Sequence, residues 1–218
     1  GAALYYREVS MIRAVLFDMD GVLVDTEWFY SKRREAYLAE CGITYDVFPD
    51  LTGISTAETW ELLIPNDLGL RERLCEAYGS YCDAHPIPYS ELLNDGVRDT
   101  FRKLHERGIK TAIASSSYRD MIEEVISVAG IRGLVDYVIS GFECNAFKPD
   151  PEIYARAMDY LRVEPSECLV VEDSPTGIES GVRSGARVLA LRPHDGIVLD
   201  QSRADKVIDT LGAIMEEL

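Results

Sequence analysis

Histidine and cysteine are scarce in this chain of 218 residues, with three of the first and five of the second. The cysteines (Cys41, Cys75, Cys82, Cys144 and Cys168) form no C-x-x-C pair. Their odd number and scatter fit neither a disulfide framework nor a structural zinc site, and point to a reducing compartment. Cys168 opens an apolar run and reads as a buried, inert thiol. Positive charge is also short: 22 Lys and Arg stand against 38 Asp and Glu, a formal charge of −16. A body this acidic repels phosphate backbones and anionic lipid, so neither nucleic acid nor a membrane surface is an expected partner. No apolar run approaches a membrane span, and no signal-peptide pattern appears in Gly1–Ser10, so a cytoplasmic location is the expectation. Internal repeats and low-complexity tracts are missing too.

What the chain does have is an ordinary globular balance, 47% hydrophobic and 28% charged. Its length suits one large domain, or a medium one with a small companion. Short apolar runs at Ala14–Phe17, Thr111–Ala114, Tyr137–Ile139, Cys168–Val171, Val188–Leu191 and Val207–Ile208 alternate with amphipathic stretches. That is the pattern of βαβ units on a parallel sheet, with strands apolar on both faces because helices cover each side. The helices carry legible punctuation. Asn94 or Asp95 is a candidate cap for a helix ending at Gly108, and Gly130 closes a second. Asp150-Pro151 and Ser174-Pro175 each place a capping side chain before a proline at the first helical turn. Between about Trp28 and Ser90 the alternation stops, and helical patterns at Trp28–Glu40, Ala57–Ile64 and Leu70–Cys82 replace it. The predicted fold class is therefore α/β. A Rossmann-like three-layer core with a parallel sheet occupies residues 1–27 and 91–218, and an inserted small α-helical cap domain occupies 28–90.

In open parallel sheets, ligands bind at the carboxyl ends of the strands. Four runs end in reactive side chains: Asp18-Met19-Asp20-Gly21, Ser115-Ser116-Ser117, the loop with Lys148-Pro149-Asp150-Pro151, and Glu172-Asp173-Ser174. Each has a bland reading as a solvated turn, a helix cap or a surface charge. Together, on one edge of one sheet, they form a candidate site. Four carboxylates in one pocket (Asp18, Asp20, Glu172, Asp173) repel one another unless a cation intervenes. Oxygen ligands without histidine or cysteine favour a hard ion, so magnesium is the expected cofactor. Lys148, the Ser115 hydroxyl and nearby backbone N–H groups supply a complementary anion site that suits a phosphoryl group. One carboxylate can then attack phosphorus and another can move a proton.

These residues carry a resemblance. The string Asp18-Met19-Asp20-Gly21-Val22-Leu23-Val24-Asp25-Thr26-Glu27 is similar to the first motif of the haloacid dehalogenase superfamily. Ser115 resembles its second motif, and Lys148 in Lys-Pro-Asp-Pro-Glu-Ile-Tyr its third. Val171-Glu172-Asp173-Ser174, with Gly177 and Gly185, resembles the fourth. The subfamily resembled contains phosphatases and β-phosphoglucomutases with a helical cap inserted after the first strand. The resemblance implies that Asp18 is a nucleophile forming an aspartyl phosphate, and that Asp20 is the acid and base, its backbone carbonyl contacting the metal. It further implies that Asp173 is a magnesium ligand beside Glu172, and that Ser115, with Ser116, and Lys148 hold the phosphoryl oxygens. The implied activity is magnesium-dependent hydrolysis of a small phosphorylated metabolite, expected to be a sugar phosphate, by a monomer.

A β-phosphoglucomutase-like mutase is the alternative, but Tyr30 stands where a cap histidine would be expected and Thr56 where a cap arginine would be. A phospho-aspartate signalling protein without turnover is a further alternative; in such domains the acid pair precedes the phosphorylated aspartate, whereas Glu172-Asp173 comes last here. The cap loop Thr52–Thr56 is the candidate for substrate contact, through Thr52 and Gly53. Trp28, Tyr30 and Trp60 are candidates for either the pocket wall or the cap core. Gly177 and Gly181 cost a helix stability unless close packing requires them.

Overall fold

Each of the six apolar runs forms a strand: β1 (Ala14–Phe17), β2 (Lys110–Ser115), β3 (Tyr137–Ser140), β4 (Cys168–Glu172), β5 (Arg187–Leu191) and β6 (Lys206–Ile208). The computed structural model describes residues 11–51, 56–194 and 197–218. All six strands pair in parallel in the order β3-β2-β1-β4-β5-β6. The direction of winding reverses between β1 and β4, where Phe17 is in register with Val171. Such a switch point leaves a crevice at the carboxyl ends of the two strands, because the crossovers on either side leave in opposite directions.

The helices are α1 (Glu27–Glu40), α2 (Thr56–Leu63), α3 (Leu68–Ala84), α4 (Tyr89–Leu92), α5 (Val97–Glu106), α6 (Arg119–Ala129), α7 (Glu152–Leu161) and α8 (Pro175–Arg183). Alternate residues of the strands feed two separate cores. Val15, Phe17, Ile113 and Val171 pack with Phe101 and Ile122 of α5 and α6. Leu16, Ala112, Val170 and Val188 pack with Tyr154, Ala157 and Ile178 of α7 and α8. Two-sided cover is why these strands read as continuous apolar runs rather than alternating ones.

Most of the punctuation acts as expected. The Ser174 side chain accepts from Gly177 N ahead of α8, with Pro175 in the first turn. At α7 the expectation shifts by one residue: Pro151 is itself the N-cap, with no side-chain cap bond, and Asp150 Oδ1 accepts from Glu152 N at 2.9 Å from the position before it. Gly130 ends α6 with φ 66°. The start of α5 is a correction. Its N-cap is Gly96, at φ 80°, with no side-chain cap bond. Asn94 instead donates from Nδ2 to Val22 O at 2.8 Å, because it is needed to join two crossing segments.

Those segments are the chain leaving the sheet after β1 and the chain returning after α4. Asp25 N donates to Leu92 O at 2.7 Å and Asn94 N to Leu23 O at 2.9 Å, and Val24 forms an antiparallel bridge with Leu93. Between the crossings, α1, α2 and α3 enclose their own cluster of Tyr37, Leu38, Trp60, Leu63, Ile64 and Tyr78. Tyr89 and Leu92 of α4 pack with the sheet instead. At the far end of the chain, buried Gln201 donates to Asp173 O at 2.8 Å and Leu191 O at 2.7 Å. The C-terminal segment thereby braces the loop after β4.

Candidate active site

Asp18 follows β1 directly, and its N–H donates to Val171 O at 2.9 Å, which continues the sheet by one residue and holds the side chain at the switch point. Glu172 closes β4 with its side chain fully buried. Lys148, from the loop after β3, reaches between them. Its Nζ donates to Asp18 Oδ1 at 2.8 Å, Glu172 Oε1 at 2.7 Å and Ala114 O at 3.0 Å, so all three ammonium hydrogens have acceptors. Tyr154 of α7 donates its hydroxyl to the same Glu172 oxygen at 2.7 Å, and its ring lies 4.9 Å from the ammonium. Asp173 N donates to Glu172 Oε2 at 3.1 Å. The Asp173 carboxylate is buried beside this network.

The electrostatics follow from that crowding. Burial, then the charge on Glu172, push Asp18 up to about 7 against the pull of Lys148. Burial, then Glu172 and Asp18, hold Asp173 well above the ordinary carboxylate range. For Lys148, burial works against the ammonium, but Asp18 and Glu172 outweigh it and keep its pKa above the usual lysine value. One ammonium thus stands among three carboxylates. Asp18, Glu172 and Asp173 each bring an oxygen to within 4.8 Å of the others, which is a donor set for a hard cation.

Asp20 is placed differently from the other three acids. Its Oδ1 accepts from Thr26 Oγ1 at 2.6 Å and Tyr30 OH at 3.1 Å, and its Oδ2 from Ser117 Oγ at 2.7 Å. The expected cluster of four side chains is therefore a cluster of three, with the Asp20 carboxylate held apart by hydroxyls. It still borders the same cavity of about 190 Å³ as Asp18, Lys148, Asp173 and Ser116. Ser115 lies beneath, fully buried, and its Oγ accepts from Ser117 N at 3.0 Å. The loop expected to supply Thr52 and Gly53 lies outside the described residues.

Two glycines make room for the acids. A Cβ on Gly21, where φ is +81°, would meet Asp173 Oδ2 at 2.0 Å, and one on Gly177 would meet the Glu172 carboxylate at 2.0 Å. Gly181 lets α8 approach the sheet, since its Cβ would lie 2.8 Å from Val188. Trp60 belongs to the core of α1–α3, whereas Trp28 and Tyr30 line a second cleft that begins at Glu27. Sequence reasoning gave no role to Thr26, Ser117 or Tyr154. Tyr154 ends the very string that contains Lys148, and its place on the buried stripe of α7, next to Ile153, was the available signal.

The profile of the haloacid dehalogenase-like hydrolase family matches residues 12–185. Validoxylamine A 7′-phosphate phosphatase of Streptomyces hygroscopicus subsp. limoneus is 30% identical over 199 residues, which cover 88% of this chain and 92% of that protein. Phosphorylated carbohydrates phosphatase of Thermotoga maritima is 32% identical over 178 residues, covering 80% and 82% respectively. Among solved structures, a HAD family hydrolase from Deinococcus radiodurans R1 with bound phosphate and sodium superposes with a TM-score of 0.74 at 27% identity, covering 95% of this chain and 96% of that one. A β-phosphoglucomutase from Clostridium difficile superposes with a TM-score of 0.68 over 95% and 97% of the chains, and at 22% identity this is a likeness of fold alone.

Proposed function

The chain belongs to the haloacid dehalogenase-like hydrolases, and from that premise we propose that it is a magnesium-dependent phosphatase acting on a sugar or polyol phosphate. The observation that carries this reading is Lys148 bridging Asp18 and Glu172, with the Asp173 carboxylate beside them, at the switch point of the sheet. That arrangement supports a nucleophile whose charge is partly offset by an ammonium, next to a place where anionic phosphoryl oxygens can rest.

Magnesium is the cofactor of this proposal. The buried Asp173 carboxylate takes no hydrogen bond from the described residues, and the neighbouring donors are all oxygen, a set that suits a hard cation. Asp18 and Asp173, with Glu172 behind them and the Asp20 backbone carbonyl, would hold it. When bound, it offsets the carboxylate charge and the charge on the phosphoryl oxygens.

In the proposed reaction, an Asp18 oxygen attacks phosphorus and the bond to the leaving oxygen breaks. Asp20 gives that oxygen its proton, so the alcohol departs neutral. Asp20 then takes a proton from water, whose oxygen attacks the phosphorus of the aspartyl phosphate. The bond to Asp18 breaks, and inorganic phosphate leaves. Lys148, with Ser115 and Ser116, holds the phosphoryl oxygens. Residues 28–90 act as the cap and 1–27 with 91–218 as the core, the paired crossings at Asp25 and Asn94 serving as the hinge. The Tyr30 hydroxyl ties the acid to the cap helix α1. A cytoplasmic monomer is the working state in this reading, and the five free thiols support a reducing compartment.

Chelation tests the cofactor. Phosphate release should fall to the uncatalysed rate after exhaustive treatment with EDTA and return with added magnesium; full activity after chelation contradicts the proposal.

A further inference from the structure

Gln201 lies between β5 and β6, outside the residues 12–185 that the family profile matches. Its side chain is buried, and Nε2 donates to Asp173 O at 2.8 Å and to Leu191 O at 2.7 Å. A carboxamide nitrogen carries two N–H groups, so these two carbonyls use both donors and fix which way the amide faces. Leu191 ends β5 and Asp173 follows β4, and the two strands pair directly. The amide is thus a cross-link between the carboxyl ends of neighbouring strands, on the edge where Asp18 and Lys148 meet. Asp173 N is held as well, by Glu172 Oε2 at 3.1 Å, so side chains grip the backbone of Asp173 at both its N–H and its C=O. The carboxylate itself packs against Gly21, where a Cβ would meet Oδ2 at 2.0 Å.

This grip opposes a definite force. Asp18, Glu172 and Asp173 each bring an oxygen within 4.8 Å of the others, and the Lys148 ammonium bonds to Asp18 and Glu172 but not to Asp173. Repulsion among the three therefore favours an outward swing of Asp173, the one acid of the set without an ammonium. A cation would have to draw such a swung residue back, and its affinity would fall by the free energy of that rearrangement. We propose that Gln201 is a positioning residue of the cation site: by holding the Asp173 carbonyl it keeps the carboxylate turned towards Asp18, and so sets the affinity for magnesium. The inference rests on the magnesium-dependent reading given above. It is distinct from merely fastening the C-terminal segment to the sheet. Asp205 also does that, since its Oδ2 accepts from Val188 N at 2.7 Å near the start of β5.

The test titrates magnesium chloride into the substrate-free protein by calorimetry, with wild type, Gln201→Met, Gln201→Asn and Asp205→Ala, and follows the stability of each in urea. Gln201→Met keeps the reach of the side chain and removes both donors. It should bind magnesium about ten- to hundredfold more weakly, the usual effect of deleting a group that orients a metal ligand, and should need correspondingly more magnesium for half-maximal phosphate release. Gln201→Asn, on a stem one methylene too short to span both carbonyls, should weaken binding in the same direction, so a Gln201→Met protein that fails to fold does not end the test. Asp205→Ala cuts the other tie of the segment and should lose stability while keeping the wild-type affinity. Wild-type affinity in a folded Gln201 variant, or an equal weakening in Asp205→Ala, overturns the proposal and leaves the phosphatase reading intact. A wild type that binds no magnesium and releases phosphate without it overturns the cofactor reading, and this proposal with it.

Discussion

Asp20 accepts hydrogen bonds from three hydroxyls, Thr26, Tyr30 and Ser117, and this sets its role apart from that of Asp18, which is paired to an ammonium. A carboxyl aimed by hydroxyls can carry a proton to a leaving oxygen without losing its place. Asp20→Asn should therefore lower kcat/KM, which reports formation of the aspartyl phosphate, far more for alkyl than for aryl phosphates, by about 10²-fold against less than tenfold, because aryloxide ions leave with little protonation. Equal losses on both would remove Asp20 from the acid role. The main acids and the lysine were legible in the sequence because each terminates or follows an apolar run that the parallel-sheet rule sends to one edge. The hydroxyl cage around Asp20 was not. Ser117 is 97 positions away from Asp20, and no local pattern tells a serine that binds across the sheet from one that caps a helix. Ser115 shows the same ambiguity from the other side: its oxygen serves the turn that leads to α6.

At the scale of elements, α8 sits close against β4 because of what the glycines of α8 leave out. In a helix, alanine is worth about 1 kcal/mol more than glycine, so Gly177 is tolerated only because the Glu172 carboxylate occupies the space of its Cβ. Gly177→Ala should destabilise the protein by about 1–3 kcal/mol in urea unfolding despite the better helix former, and should lower turnover with it. Gly79 of α3 has nothing within 4 Å of its Cβ position, and Gly79→Ala should stabilise by about 0.5–1 kcal/mol. If the two substitutions behave alike, the packing account of α8 fails. This contrast was half visible beforehand: the two glycines of α8 looked costly, but which group filled the space needed coordinates. The missing cap on α5 has the same origin, since Asn94 reads as an N-cap locally and is drawn away by Val22 O, 72 positions distant.

Strand β4 also carries a pH signature. Burial, with the charge of Glu167 added, pushes the Cys168 thiol up to about 12, whereas an unfolded thiol ionises near pH 8.5, roughly the free-cysteine value. Because the folded pKa is the higher one, the contribution of this thiol to stability is whole below the unfolded value and is lost as pH rises towards the folded one. The stability advantage of wild type over Cys168→Ala should therefore be constant up to about pH 8 and shrink steadily above about pH 9. A difference that stays flat to pH 11 would contradict the burial of that thiol.

Across the whole molecule, one sheet and one insertion divide the work. The order β3-β2-β1-β4-β5-β6 brings residues as distant as Asp18 and Lys148 within 2.8 Å, and α1 and α2 line the cleft where Glu27 and Tyr30 lie. The parallel sheet and the helical insertion were readable from the alternation of runs and its interruption at about Trp28. The two-stranded join at Val24 and Leu93, and the bracing of the Asp173 loop by Gln201, were not, because both depend on segments that meet only once the chain is folded. The measurement that bears most directly on the central claim is phosphate release from a panel of sugar, polyol and nucleotide monophosphates with magnesium, in wild type and in Asp18→Asn. An amide cannot attack phosphorus, so wild type should release phosphate from sugar or polyol esters while Asp18→Asn, folded and equally stable, falls by about 10³-fold or more. Release by Asp18→Asn at a rate near wild type would contradict the account.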